Sequence, residues 1–173
     1  MADFKRANTR QPAPSVLYPK GNDMNSAQQT KFVSVTPPAA IIDNAAVTTA
    51  AIDTLGWDYL EVFVYLGATD IAMTVCKLQT SDTDGSYADL TGAVYGTSTD
   101  IAGSTSALPI ATDDNKCFKI EVDLRGKKRY FDLAATCGDG TAGTYITAFA
   151  ILSRGDAPAT TASGRGHGNI LRT

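Results

Sequence analysis

Between residues 31 and 154 apolar and polar positions alternate with a period of two, the signature of half-buried strands. Lys31-Phe-Val-Ser-Val35 alternates and stops at Pro37-Pro38. Ala45 to Ile52 is a Val/Thr/Ala run closed by Leu55-Gly56. In Trp57 to Leu66, Trp57, Tyr59, Glu61, Phe63 and Tyr65 share one face, and Leu60, Val62, Val64 and Leu66 share the other. Ile71 to Thr80 sets Ile71, Met73, Val75 and Lys77 against Ala72, Thr74, Cys76 and Leu78. Phe118, Ile120, Val122 and Leu124 alternate with Lys119, Glu121 and Asp123, and Tyr130 to Thr136 and Thr144 to Leu152 follow in the same style. No window carries the 3, 4, 7 spacing of an amphipathic helix. Short strands separated by Gly/Asp turns predict an all-β fold, an antiparallel β-sandwich of jelly-roll-like type. Its core is expected from Leu60, Val62, Val64, Phe118, Ile120, Val122, Phe149 and Ile151.

Both ends of the chain lack this pattern. Residues 1–30 are rich in Asn, Gln, Ser, Thr and Pro, with Pro12, Pro14 and Pro19 imposing extended backbone. Residues 155–173 are scattered Gly, Ala and Thr. The reading is therefore an N-terminal arm (1–30), a β-sandwich body (31–154) and a C-terminal arm (155–173), both arms extended. Charge follows the same division. Residues 1–31 hold five basic residues against two acidic, residues 154–173 three against one, and the middle seven against fifteen, within a net −3. An acidic body argues against a nucleic-acid partner, whose footprint is a basic face. In the arms, the apolar Phe4, Val16, Leu17, Tyr18, Ile170 and Leu171 are the candidate anchors to a partner.

Arg125-Gly-Lys-Lys-Arg129 falls between two alternating strands, where Gly suits a tight connection. A solvated hairpin turn is the first reading. Arg125, Lys127 and Lys128 are also the body's candidate partner-facing basic residues.

Candidate chemistry adds little. Cys76, Cys117 and Cys137 lack CxxC spacing and read as small apolar residues inside strands, with no zinc ligand set. Asp82, Asp84 and Asp89 around Gly85 lack the third early ligand and the terminal Glu of a calcium loop, so a turn is expected. Gly138-Asp-Gly140 and Gly143 precede a strand rather than the helix that a phosphate loop requires. His167 is the only histidine and sits in a Gly-rich tail, poor support for a catalytic base. No catalytic residue, metal site or cofactor is predicted. Without an apolar leader or a run of ~18–20 apolar residues, the expectation is a soluble protein made in a reducing cytoplasm, with no membrane partner.

The stretches "TLGWDYLEVFVYLGATDIAMTVCKLQTSDTDGSYADLTG" and "ALPIATDDNKCFKIEVDLRGKKRYFDLAATCGDGTAGTYITAFAILSR" resemble a family of small structural proteins of tailed bacteriophages. Asp123-Leu-Arg-Gly126, Lys128-Arg-Tyr130, Gly140-Thr-Ala-Gly143 and Ala150-Ile-Leu-Ser-Arg154 are its most recognisable pieces, and the likeness runs from about Leu55 to Ser153. The resemblance implies a non-enzymatic capsid decoration or cement protein on the virion exterior. Its partners would be the major capsid protein and further copies of itself, as a dimer or trimer on a capsid symmetry axis. The alternative is a jelly-roll binding module that attaches the virion to host-surface glycans.

Overall fold

The computed structural model describes residues 29–157 and 159–171. Eight strands form the body: β1 Thr30–Thr36, β2 Ile52–Asp53, β3 Trp57–Thr69, β4 Val75–Ser81, β5 Ala88–Val94, β6 Cys117–Asp123, β7 Tyr130–Thr136 and β8 Thr144–Gly155. They make two four-stranded sheets, β1-β8-β3-β6 and β2-β7-β4-β5, and every strand pairing is antiparallel. Chain order and sheet order interleave as in a double-sheet jelly roll. The architecture is all-β, a sandwich of the predicted kind.

Alternation decides what fills the space between the sheets. Leu60, Val62, Val64 and Leu66 of β3, Leu78 of β4, Phe131 and Leu133 of β7 and Leu152 of β8 have no exposed surface. Ile120 and Val122 of β6 join them, and Phe118 packs half-buried at the margin. Two expected core residues lie elsewhere. Phe149 and Ile151 are half-buried on the outer face of the first sheet, while Ala148, Ala150 and Leu152 point inward. Within β8 every second residue is apolar on both faces, so period alone does not say which set faces in. The register settles it, because Leu152 pairs with Leu60 and Ala150 with Val62.

Two further differences have local causes. The Ala45–Ile52 run yields only the two-residue β2, because its backbone is divided between the sheets: Val47 N–H donates to Ala135 and Ala50 N–H to Val35. Strand β5 was not legible as a strand. Its buried residues, Leu90 and Ala93, are three apart, and its pairing with β4 is interrupted between Lys77 and Gln79.

The C-terminal segment departs in part from the extended arm expected of it. Beyond β8 the chain forms one turn of 3-10 helix, Ser163–Arg165, packed on β1. Arg165 is buried there, and His167 stacks on Phe32 with ring centroids 5.6 Å apart. Gly166 (φ +77°) fits because a Cβ would collide with the Phe32 carbonyl oxygen. A few specific contacts thus hold a polar tail whose composition alone predicts none. Residues 1–28 of the N-terminal arm, with Phe4, Val16, Leu17 and Tyr18, lie outside the described residues, and Thr30 already belongs to β1.

Candidate interaction surfaces

The two outer faces of the sandwich differ in chemistry. On the second sheet Lys77, Gln79, Asp132 and Thr136 point outward beside Val75, Tyr130 and Ala134, a mixed face with no row of stacked rings. On the first sheet a stack of side chains crosses all four strands. Lys119 of β6 lies 5.6 Å from the Phe63 ring of β3. Phe63 stacks on Phe149 of β8 at 4.9 Å, and Phe149 on Phe32 of β1 at 5.5 Å. His167 of the tail ends the row. Further along the same face Tyr65 and Tyr145, 41% and 48% exposed, line a small groove with Pro38 and Gly67. Each aromatic pair adds about 0.5–1.5 kcal/mol beyond its buried area. Half-exposed rings in such number are also what interface centres are made of.

A second concavity lies where the sandwich is open, between edge strands β5 and β6. Its volume is about 510 Å³, lined on β5 by Ala93 and Val94, then by Tyr95, Asp100 and Ile101, and on β6 by Lys119, Ile120 and Glu121. Lys119 pairs with Glu61 at 3.1 Å and also with Glu121, and Glu121 accepts a hydrogen bond from the Tyr59 hydroxyl at 3.2 Å. The two carboxylates hold the Lys119 ammonium well above its ordinary pKa. Ile101 stands fully exposed on the rim.

The basic turn is a turn. Gly126 takes φ +73° between β6 and β7, and Lys127 N–H donates to Leu124. Its charges are largely matched at home. Arg125 pairs with Asp123 at 2.5 Å, Arg129 with Asp53 at 2.7 Å, and Lys128 approaches Asp82 at 3.7 Å. The Arg125 guanidinium pulls the Asp123 carboxyl down to about 2. Among the described residues Lys127, alone of the three basic candidates, has no ion pair. Ile170 is half-buried and Leu171 is 90% exposed, at the end of the docked tail rather than beside the turn.

Local partners account for the other polar clusters. Asp84 accepts from Tyr87, and Asp89 from Lys77 and Gln79, which draws the Asp82, Asp84 and Asp89 group into separate contacts. The glycine-rich loop does bind an anion, but an internal one. The Thr141 and Ala142 amides donate to Asp70 at 2.6 and 2.5 Å, and they lower its pKa, Ala142 most strongly. Sequence reasoning placed this loop and missed its tenant. Cys76 and Cys137 are buried as expected, and burial pushes the Cys76 thiol up to about 12. Cys117, at the start of β6, is exposed instead, because odd-numbered β6 residues face outward. Among the described residues no helix is long and apolar enough to cross a membrane.

No protein family matches the chain, and no curated protein matches it. Among solved structures it is similar to the SPBc2 prophage-derived protein YomS. The identity is 13% over 71% of this chain and 91% of that one, with a TM-score of 0.41.

Proposed function

We propose that this chain is a non-enzymatic structural protein of a tailed-phage virion. It binds the exterior of the capsid shell and stabilises it, with the major capsid protein and further copies of itself as partners. The observation that carries the reading is the row of stacked aromatic rings on the outer face of the first sheet, which the second sheet lacks: a stable body with one face suited to permanent contact. The resemblance of the β core to phage structural proteins supports it, and so does the jelly roll, an architecture used in viral capsids. The exposed apolar end of the tail at Leu171 adds a candidate clip, as do Phe4, Val16, Leu17 and Tyr18 in the N-terminal arm.

Co-sedimentation of the full chain with purified phage shells tests the reading. Saturable binding that raises the shells' melting temperature is the expected result, and Tyr145→Lys on the aromatic face should weaken it. A chain that stays in the supernatant at every concentration refutes it. A glycan-binding module is the second reading, because the groove lined by Tyr65 and Tyr145 offers ring faces on which sugars stack. Glycan capture abolished by Tyr145→Lys, without shell binding, would establish it instead.

A further inference from the structure

The open side of the sandwich has the geometry of a strand acceptor. In the β3–β6 ladder, Leu66 N–H donates to Lys116 and Leu124 N–H to the Asp58 carbonyl, so the even-numbered residues of β6 face β3. The backbone groups of Lys119 and Glu121 therefore point away from the sheet, into the 510 Å³ cleft they line. The Tyr95 hydroxyl confirms the direction by donating to the Lys119 carbonyl at 2.9 Å. That leaves the Lys119 N–H and the Glu121 N–H and C=O as an unpaired stretch of sheet edge. Ala93, Val94, Ile120 and the exposed Ile101 supply apolar walls, and Asp100 and Glu121 outweigh Lys119 in charge.

We propose that this cleft takes an extended segment from residues 1–28 of a second copy of the chain, added to the β6 edge as a fifth strand of the first sheet. The inference rests on the virion-structural reading and names the surface through which copies are tied together. Charge matches, since residues 1–28 carry Lys5, Arg6, Arg10 and Lys20 against Asp3 and Asp23. Sequence matches too. Ser15-Val-Leu-Tyr18 is an apolar-centred run between Pro14 and Pro19, followed at once by Lys20. A strand that short is what three edge groups can hold, with main-chain bonds giving affinity and side chains giving selectivity. Length permits it, because 28 extended residues reach roughly 90 Å. A second copy is the donor because the chain's own N-terminal segment enters at β1, the opposite edge of the same sheet. To reach β6 of its own copy it would have to lie across the face of all four strands, so the proposal commits to a second copy, and linked monomer is the result that tells the two apart.

Cys117, exposed two residues from Lys119, supplies the reporter, while Cys76 and Cys137 are buried. Full-length protein carrying Ser15→Cys is concentrated and mildly oxidised, then run on a non-reducing gel. Covalent dimers and higher copies are expected, absent when Cys117→Ser is added. Glu121→Lys reverses the charge in the cleft and should cut the linked fraction by roughly tenfold. Glu121→Pro removes an outward N–H without touching the β3 ladder and should do the same. Trp57 fluorescence checks that both variants are folded. Linked monomer alone, no product, or a ladder that ignores both Glu121 variants overturns the proposal. Shell binding is scored separately. Shells bound by a protein that gives no such ladder discard the acceptor role alone, whereas a ladder without shell binding keeps it and discards the shell reading.

Discussion

Leu152→Ala measures how firmly the core register is set. Leu152 has no exposed surface and pairs with Leu60 across the β3–β8 ladder and with Lys31 across the β1–β8 ladder. Removing three buried carbons forfeits about 2.4 kcal/mol at roughly 0.8 kcal/mol each. Because β8 is hydrogen-bonded on both sides, its backbone cannot move in to close the gap, and the cavity term should bring the cost to about 3–4 kcal/mol. Phe149→Leu is the matched control. It keeps an apolar side chain on the half-exposed outer face and loses the two ring contacts to Phe63 and Phe32, costing about 1–3 kcal/mol, the lower end where Leu still fills the space. Urea unfolding followed by Trp57, the single tryptophan, reads both. With a slope of about 2 kcal/mol per molar, the midpoint should fall by roughly 1.5–2 M for Leu152→Ala and by less, roughly 0.5–1.5 M, for Phe149→Leu. Equal losses, or a larger loss for Phe149→Leu, would mean that Phe149 and not Leu152 fills the core, and the register argument would fail.

Two further outcomes are expected. A thiol reagent should modify only Cys117 in the folded protein, and slowly at neutral pH because burial raises its pKa, while denaturation should release Cys76 and Cys137; rapid native modification of two or three thiols contradicts the burial of these residues. Asp70 and Asp123 are depressed below 3.8 in the folded chain, so the stability they contribute is present above that value and lost as pH falls through their folded values. The urea midpoint should drop between about pH 4 and pH 2, and Asp70→Asn should flatten part of that drop; an unchanged slope would show that the loop amides do not favour the Asp70 carboxylate.

The sequence alone determined that this is a β protein and where most of its strands lie. Period-two alternation is a local property, written into Trp57–Leu66 and Phe118–Leu124 whatever the rest of the chain does. The basic hairpin at Gly126 was equally local, since a tight turn is chosen by three or four residues. Tertiary structure alone decided which side of an apolar strand is the inside, because β8 is apolar on both faces and only its pairing with β3 turns Leu152 inward and Phe149 out. It also decided the candidate surfaces. Lys119, Phe63, Phe149, Phe32 and His167 lie far apart along the chain and meet only because β6, β3, β8 and β1 are neighbours in one sheet. The cleft between β5 and β6 belongs to neither strand, and its open edge exists because the two sheets end there without closing. Asp70 finds its amide partner 71 positions away and His167 stacks on Phe32 of β1 from the far end of the chain, separations that no window on the sequence could reach.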